Sequence, residues 1–90
     1  MMPERRLSDV TIEVRLFAMP RDRAKADAVS IELPDGATVR DLKRDLAARH
    51  PELAAFLPFC LVAIDRQYAG DEAAVRSGQE IALIPPVSGG

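Results

Sequence analysis

The chain has 90 residues, 48% of them apolar and 29% charged, and a formal net charge of −2. This length predicts one small domain with a modest core, and the charge content excludes a membrane span. Without an excess of basic residues, neither nucleic acid nor anionic lipid is an expected partner. One cysteine cannot form an internal disulfide, and the first residues lack the apolar segment of a secretory signal, so we expect a cytoplasmic protein.

Two segments of the first half alternate apolar and polar residues, as half-buried strands do. The first runs from Val10 to Leu16, and Phe17 follows on its outward face. The second covers residues 28–33 and ends at a turn over residues 34–36. We interpret the basic segment between them, residues 19–26, as a solvated connection that can hold a helical turn, with a docking patch as the alternative.

One amphipathic helix is predicted after Thr38, which with Asp41 resembles a capping box in which Asp replaces Glu. Its buried stripe is predicted from residues at helical spacing: Val39, Leu42, Leu46 and Ala47. Pro51 ends the helix, because the residue before a proline avoids the helical region. We interpret His50 as a residue at the helix C-terminus, since the sequence offers no nearby partner for a catalytic base.

The second half contains an apolar run over residues 59–64, which predicts a strand covered at least partly on both faces. We interpret Cys60 as a buried apolar residue, with a sulfur-handling thiol as the alternative. Residues 65–68 are expected to be the end of that strand and a turn. The last strand, residues 80–84, turns Ile81 and Leu83 to the core and Ile84 away from it.

The order strand-strand-helix-strand-strand predicts an α+β fold, in which one main helix packs on one face of a mixed four- to five-stranded sheet. The first and last strands are expected to pair in parallel. Phe17, Tyr68 and Ile84 then fall on the open face of the sheet, where we predict a docking site rimmed by Glu13, Arg15 and Glu80. Scattered exposed apolar residues are the alternative.

The sequence ends in Pro85-Pro86-Val87-Ser88-Gly89-Gly90. The two prolines favour a stiff extended base, and the two glycines add no side chain. Extended, residues 87–90 reach about 13–14 Å, and we expect this flexible tail to carry a free carboxylate into a narrow site on a partner. A frayed terminus is the alternative. We therefore divide the chain into a flexible extension (1–8), a folded domain (9–84) and a tail (85–90).

The sequence has no glycine-rich phosphate loop, no metal-ligand spacing and no evidence for a nucleophilic triad. We interpret the chain as a carrier or substrate rather than a catalyst.

Three segments, residues 10–18, 33–39 and 77–90, resemble the MoaD family of small subunits of molybdopterin synthase. The resemblance covers residues 9–90, and its most specific part is the last strand followed by Pro-Pro-Val-Ser-Gly-Gly. Residues 1–8, which extend beyond the usual start, and the charged residues 65–67 depart from the family pattern.

The resemblance implies a ubiquitin-like β-grasp sulfur carrier without a permanently bound cofactor. An E1-like, MoeB-like enzyme would use ATP and Mg²⁺ to convert Gly90 to a glycyl-adenylate, and sulfur would then replace AMP to give 1-thioglycine. The loaded tail would enter a MoaE-like large catalytic subunit, in a heterotetramer of two small and two large subunits, and donate sulfur to cyclic pyranopterin monophosphate. Phe17, Tyr68 and Ile84 match the positions of apolar interface residues in the family.

Three other functions stay open: a sulfur carrier for thiamin or cysteine biosynthesis, a ubiquitin-like modifier joined through Gly90 to lysines, and a binding domain with an inert tail. The Pro85-Pro86 pair favours molybdopterin synthase over the other carriers.

Overall fold

The computed structural model describes residues 9–85, apart from the side chain of Met19. Residues 1–8 and 86–90, which hold the predicted extension and most of the predicted tail, lie outside the described residues. The elements are, in chain order, β1 (Asp9–Leu16), α1 (Ala18–Ala24), β2 (Ala28–Pro34), α2 (Val39–Arg49), β3 (Leu61–Ile64), β4 (Gln67–Ala69) and β5 (Ile81–Ile84). Two short 3₁₀ turns, Pro51–Leu53 and Leu57–Phe59, connect α2 to β3.

The five strands form one mixed sheet in the order β2-β1-β5-β3-β4. β1 pairs antiparallel with β2 and parallel with β5, in the register Val14 to Ile81 and Leu16 to Leu83. β3 lies antiparallel between β5 and β4. The parallel pairing of the first and last strands is confirmed, and so is the mixed sheet.

The core lies between one face of the sheet and α2. Alternation in the strands buries Ile12, Val14, Leu16, Ile31, Leu33, Val62, Ile81 and Leu83. From α2 the residues Val39, Leu42 and Leu46 are buried, and Ala47 packs partly against them. The predicted helix stripe and the inward faces of the first two strands and the last one are therefore confirmed.

The N-terminus of α2 carries the predicted capping box. The Thr38 Oγ1 accepts the Asp41 backbone N–H at 3.3 Å, and Asp41 Oδ2 accepts the Thr38 backbone N–H at 3.1 Å. At the other end His50 is the C-cap, as predicted, and its N–H donates to the Leu46 carbonyl. The expectation that His50 has no neighbouring acid is wrong, because the adjacent 3₁₀ turn brings a Glu52 carboxylate oxygen within 3.5 Å of Nδ1.

Three local predictions need correction. Residues 18–24 form a whole short helix, since Pro20 is tolerated in a first turn. The apolar run becomes a strand only at Leu61, because Leu57–Phe59 forms a 3₁₀ turn around Pro58. The predicted cover on both faces is wrong at the start of the run, where Phe59 and Leu61 are 68% and 51% exposed, because no element within residues 9–85 packs over them.

Residues 65–68, predicted to be the end of a strand and a turn, form a turn at residues 65–66 and the start of β4 at residues 67–68. Asp65 and Arg66 have φ angles of 51° and 71°, the conformation of a two-residue hairpin, and Gln67–Ala69 pairs antiparallel with β3. Such turns usually carry Asn-Gly or Asp-Gly, and Asp-Arg lacks this sequence signal. β4 could therefore not be predicted from the sequence pattern.

Candidate functional site

The three apolar residues predicted for the open face lie together on it. Phe17, Tyr68 and Ile84 line one shallow depression, with Ala63 and Ala82 as its floor. Phe17 is 45% and Tyr68 71% exposed, whereas Ile84 is half-buried. The structure thus assembles an apolar surface from residues that lie 67 positions apart in the sequence (Phe17 to Ile84).

The strand register explains this grouping. Because Ile81 and Leu83 point to the core, Ala82 and Ile84 point to the open face. Ala63 lies opposite both Ala82 and Tyr68, so these three share that face. Phe17 follows Leu16, the partner of Leu83 in the parallel pair, and thereby reaches the same end of the sheet.

Leu61 belongs to this surface and was missed by the sequence analysis. It lies directly opposite Ile84 in the antiparallel pair and is half exposed. The alternation of β3 would have placed Leu61 outward if the first residue of the strand had been known. We call Phe17, Leu61, Tyr68 and Ile84 the apolar patch.

Charged side chains border the apolar patch on one side. Glu80 lies between two guanidinium groups, 3.9 Å from Arg15 and 3.6 Å from Arg66. The Glu80 backbone is held by Asp65, whose N–H donates to the Glu80 carbonyl at 2.8 Å and whose Oδ1 accepts the Glu80 N–H at 2.9 Å. Glu13 is exposed on the outward face of β1. Arg66 and Asp65 were not among the residues predicted for this rim.

The tail begins at this patch. Pro85, half-buried, directly follows Ile84 at the end of β5. The roles predicted for Pro86, Val87, Ser88, Gly89 and Gly90 fall outside the described residues and stay predictions, as does the docking role of the patch.

Cys60 is 2% exposed, which confirms its interpretation as a buried residue. Burial raises the pKa of the Cys60 thiol, and the charge of nearby Lys43 opposes part of that shift. A neutral, enclosed thiol is a poor nucleophile. Within residues 9–85, no three metal-ligating side chains lie together, and no helix is long and apolar enough to cross a membrane.

A mixed five-stranded sheet with one main helix across one face places the chain in the ubiquitin-like β-grasp class. The solution structure of a ubiquitin-like domain of mouse tubulin-specific chaperone e shares the fold, with a TM-score of 0.57 at 15% identity over 92% of this chain and 93% of that one. The crystal structure of SAMP1, small archaeal modifier protein 1, from Haloferax volcanii is closer, with a TM-score of 0.77 at 31% identity over 90% of this chain and all of that one.

The model of the ThiS family matches residues 14–90, and the chain belongs to this family. Two curated relatives, each named molybdopterin synthase sulfur carrier subunit, are similar over most of both chains. The one from Chlamydomonas reinhardtii is 38% identical over 81 residues, which are 88% of this chain and 98% of the relative. The one from Haemophilus influenzae is 37% identical over 88% of this chain and 99% of the relative. These matches confirm the resemblance found in the sequence.

Proposed function

We propose that this protein is the sulfur carrier subunit of a molybdopterin synthase and that Gly90 is its working residue. The Gly90 carboxylate attacks the α-phosphate of ATP on an activating enzyme, and pyrophosphate leaves. Sulfide from a donor then attacks the acyl carbon and AMP leaves, which gives a thiocarboxylate. Its sulfur passes to cyclic pyranopterin monophosphate, and water at the acyl carbon restores the Gly90 carboxylate. The chain supplies the residue that carries sulfur and a binding surface for its partners. The catalytic groups belong to those partners.

The apolar patch at the root of the tail is the observation that carries this proposal. Its exposed aromatic rings share a depression with Ile84, the residue before Pro85, and five residues follow Pro85 as far as Gly90. A partner that covers the patch would hold the start of the tail at a fixed place relative to its own active site. An apolar centre with a charged rim is the arrangement found in protein interfaces.

The setting of Cys60 supports sulfur chemistry at Gly90. A thiol that is 2% exposed and has a raised pKa is unsuited to accept sulfur from a second protein. A C-terminal thiocarboxylate needs no side chain of the carrier.

Two partners are part of the proposal. A MoaE-like large subunit would take the loaded tail in a heterotetramer with two copies of each subunit. An E1-like, MoeB-like adenylyltransferase would bind the same patch at another stage and supply the ATP and Mg²⁺ site, so the carrier holds no permanent cofactor. We place this cycle in the cytoplasm.

Reconstitution with an activating enzyme, a sulfide donor and a large subunit tests the role of Gly90. Intact mass should show one oxygen replaced by sulfur, and added precursor should be converted to molybdopterin. Deletion of Gly90 should abolish both results, whereas Cys60→Ala should preserve them. Full molybdopterin formation without Gly90 would refute the proposal, and a loaded carrier that serves only thiazole or cysteine synthesis would reassign the pathway.

Binding to the large subunit tests the patch separately. Tyr68→Asp places a charge on a residue that is 71% exposed, so the fold should survive while the affinity falls at least about tenfold. Ala55→Asp is the matched control, because it adds the same charge to an exposed alanine between the two 3₁₀ turns. Equal losses of affinity for the two variants would show that the patch is not part of the interface.

Protein modification is a second candidate, favoured by the similarity to SAMP1, whose name says modifier. In that case Gly90 is joined to lysines of other proteins. Protein purified from its own host then carries lysine conjugates, whereas the carrier function predicts a thiocarboxylate.

A further inference from the structure

The chain contains few side chains that can capture an activated acyl group. Its twelve basic residues are ten arginines and two lysines, Lys25 and Lys43, and it has one cysteine. A guanidinium stays protonated in proteins and is not a nucleophile, whereas a lysine amine is. The enclosed Cys60 thiol, as described above, is also a poor acceptor.

Lys43 is engaged inside the fold. Its Nζ donates to the Cys60 carbonyl at 3.0 Å and lies 3.8 Å from an Asp71 carboxylate oxygen. The side chain is only 23% exposed. To attack an acyl group its amine must first leave a charge-assisted hydrogen bond, so its reaction is slow.

Lys25 has a different setting. It is the exposed C-cap of α1, with φ 57° and ψ 38°, and its backbone N–H donates to the Arg21 carbonyl. It borders an open surface hollow with Arg21, Asp22 and Asp27. These neighbours are all charged and solvated, so the amine is open to reagents from solution.

The loop that carries Lys25 lies at the end of the sheet from which the tail departs. The Leu16 N–H donates to the Asp27 carbonyl at 2.8 Å, and Leu16 is the register partner of Leu83. Leu83 is two residues before Pro85. The loop of the more exposed lysine therefore lies at the same end of the sheet as Leu83, with β1 between them.

We propose that Lys25 is the acyl-acceptor site of this protein, and that its natural acyl donor is the activated Gly90 of the same or a second copy. The natural donor rests on the proposed function, which supplies the glycyl-adenylate. The deprotonated amine attacks the acyl carbon, a C–N bond forms, and the bond to AMP breaks. AMP leaves with the electron pair and the amine proton passes to water, so the product is a Gly90–Lys25 isopeptide that can no longer be loaded with sulfur.

Acetylation of the native full chain with limiting N-hydroxysuccinimidyl acetate tests the site without any activation of Gly90. Peptide mapping should show Lys25 acetylated roughly tenfold or more faster than Lys43, the factor expected when one amine must first leave a charge-assisted hydrogen bond. Unfolding the protein in denaturant should equalise the two rates. Equal rates in the native protein, or faster reaction at Lys43, would overturn the proposal.

A second arm tests the natural donor with the activating enzyme, ATP and Mg²⁺ but no sulfur donor. Trypsin should then release residues 77–90 joined to Lys25 within residues 24–40. Lys25→Arg should abolish this product, and Lys43→Arg, which also keeps the charge, should not. Absent pyrophosphate release would count against the proposed function, with the acetylation result still deciding the site. Pyrophosphate release with the isopeptide at Lys43 instead would count against Lys25 alone.

Discussion

Leu42 and Leu61 are the same amino acid in opposite settings. Leu42 is 0% exposed between α2 and the sheet, whereas Leu61 is 51% exposed on the open face. The first side chain therefore contributes to stability by its burial. The second contributes little to the fold of the isolated chain, and its exposed surface is available for the partner contact proposed above.

Truncation of each leucine to alanine should separate stability from binding. Leu42→Ala should lower the free energy of unfolding by about 2–5 kcal/mol, because it leaves a cavity in the core. Leu61→Ala should lower it by less than about 1 kcal/mol and weaken binding to the large subunit. Chemical denaturation and a titration against the large subunit measure the two effects. A strong stability loss for Leu61→Ala would mean that this residue belongs to the core.

At the scale of elements, α2 depends on contacts at its N-terminus that come from two places. The capping box satisfies the N–H groups of Thr38 and Asp41 locally. The Val39 N–H donates to the Ala73 carbonyl and the Arg40 N–H to the Asp71 carbonyl, at 2.9 and 3.0 Å. The segment before β5 thus completes the cap and ties the helix to the far half of the chain.

Thr38→Ala should destabilise the protein by about 0.5–2 kcal/mol, because the Asp41 N–H loses its acceptor. Thr38→Ser is the control, since it keeps the hydroxyl and should recover most of the loss. Urea denaturation monitored by circular dichroism measures both variants. Equal destabilisation by alanine and serine would show that the methyl group, not the hydroxyl, stabilises the helix.

The charge of Asp41 should make part of this stability depend on pH. The Thr38 backbone N–H holds the pKa of Asp41 below its usual value of 3.8, with the Thr38 hydroxyl and Arg44 acting in the same direction and desolvation opposing them. When the folded-state pKa of a carboxyl group is lowered, its charge stabilises the fold at pH values above the unfolded-state pKa. This stabilisation is lost as the pH falls through the folded-state pKa. Asp41→Asn should therefore be less stable than wild type near neutral pH, and the difference should vanish in acid. A difference that stays constant down to pH 2 would contradict this.

At the scale of the whole molecule, the two faces of the sheet differ in how much of the protein packs against them. β1 and β5 are its inner parallel pair, whereas β2 and the three-residue β4 are edges. One face is covered by α2 and the 3₁₀ turns, and the other carries the apolar patch. Pro85, the first residue of the tail, follows β5. Because β5 is paired with a strand on each side, the start of the tail is held by an inner strand of the sheet.

Hydrogen exchange should follow this order. Backbone amides of β1 should exchange most slowly, because it is the longest of the three strands that are paired on both sides, and those of the short edge strand Gln67–Ala69 should exchange fastest among the strands. Binding of the large subunit should slow exchange around Tyr68 and Ile84 more than in β2. Mass spectrometry or nuclear magnetic resonance can measure both trends, and protection of β4 equal to that of β1 in the free protein would contradict the first.

Much of this fold was predictable because its signals are local. Alternation identified β1 and β2, and the 3.6-residue spacing of Val39, Leu42 and Leu46 identified α2 with its cap. Phe17, Tyr68 and Ile84 were predicted to share a face, although the depression that they line together could not be seen in the sequence. β4 was missed because its hairpin turn uses Asp65 and Arg66 in a conformation that usually selects glycine.

The sequence by itself determined the periodicities, the helix cap, the place of the prolines and the ending in Gly89-Gly90, because each depends on residues within a few positions of one another. The tertiary structure alone decided the membership of Leu61 in the patch, the pairing of Glu80 with Arg15 and Arg66, and the contrast between Lys25 and Lys43. These depend on strand register and on packing between distant segments, which no local pattern encodes.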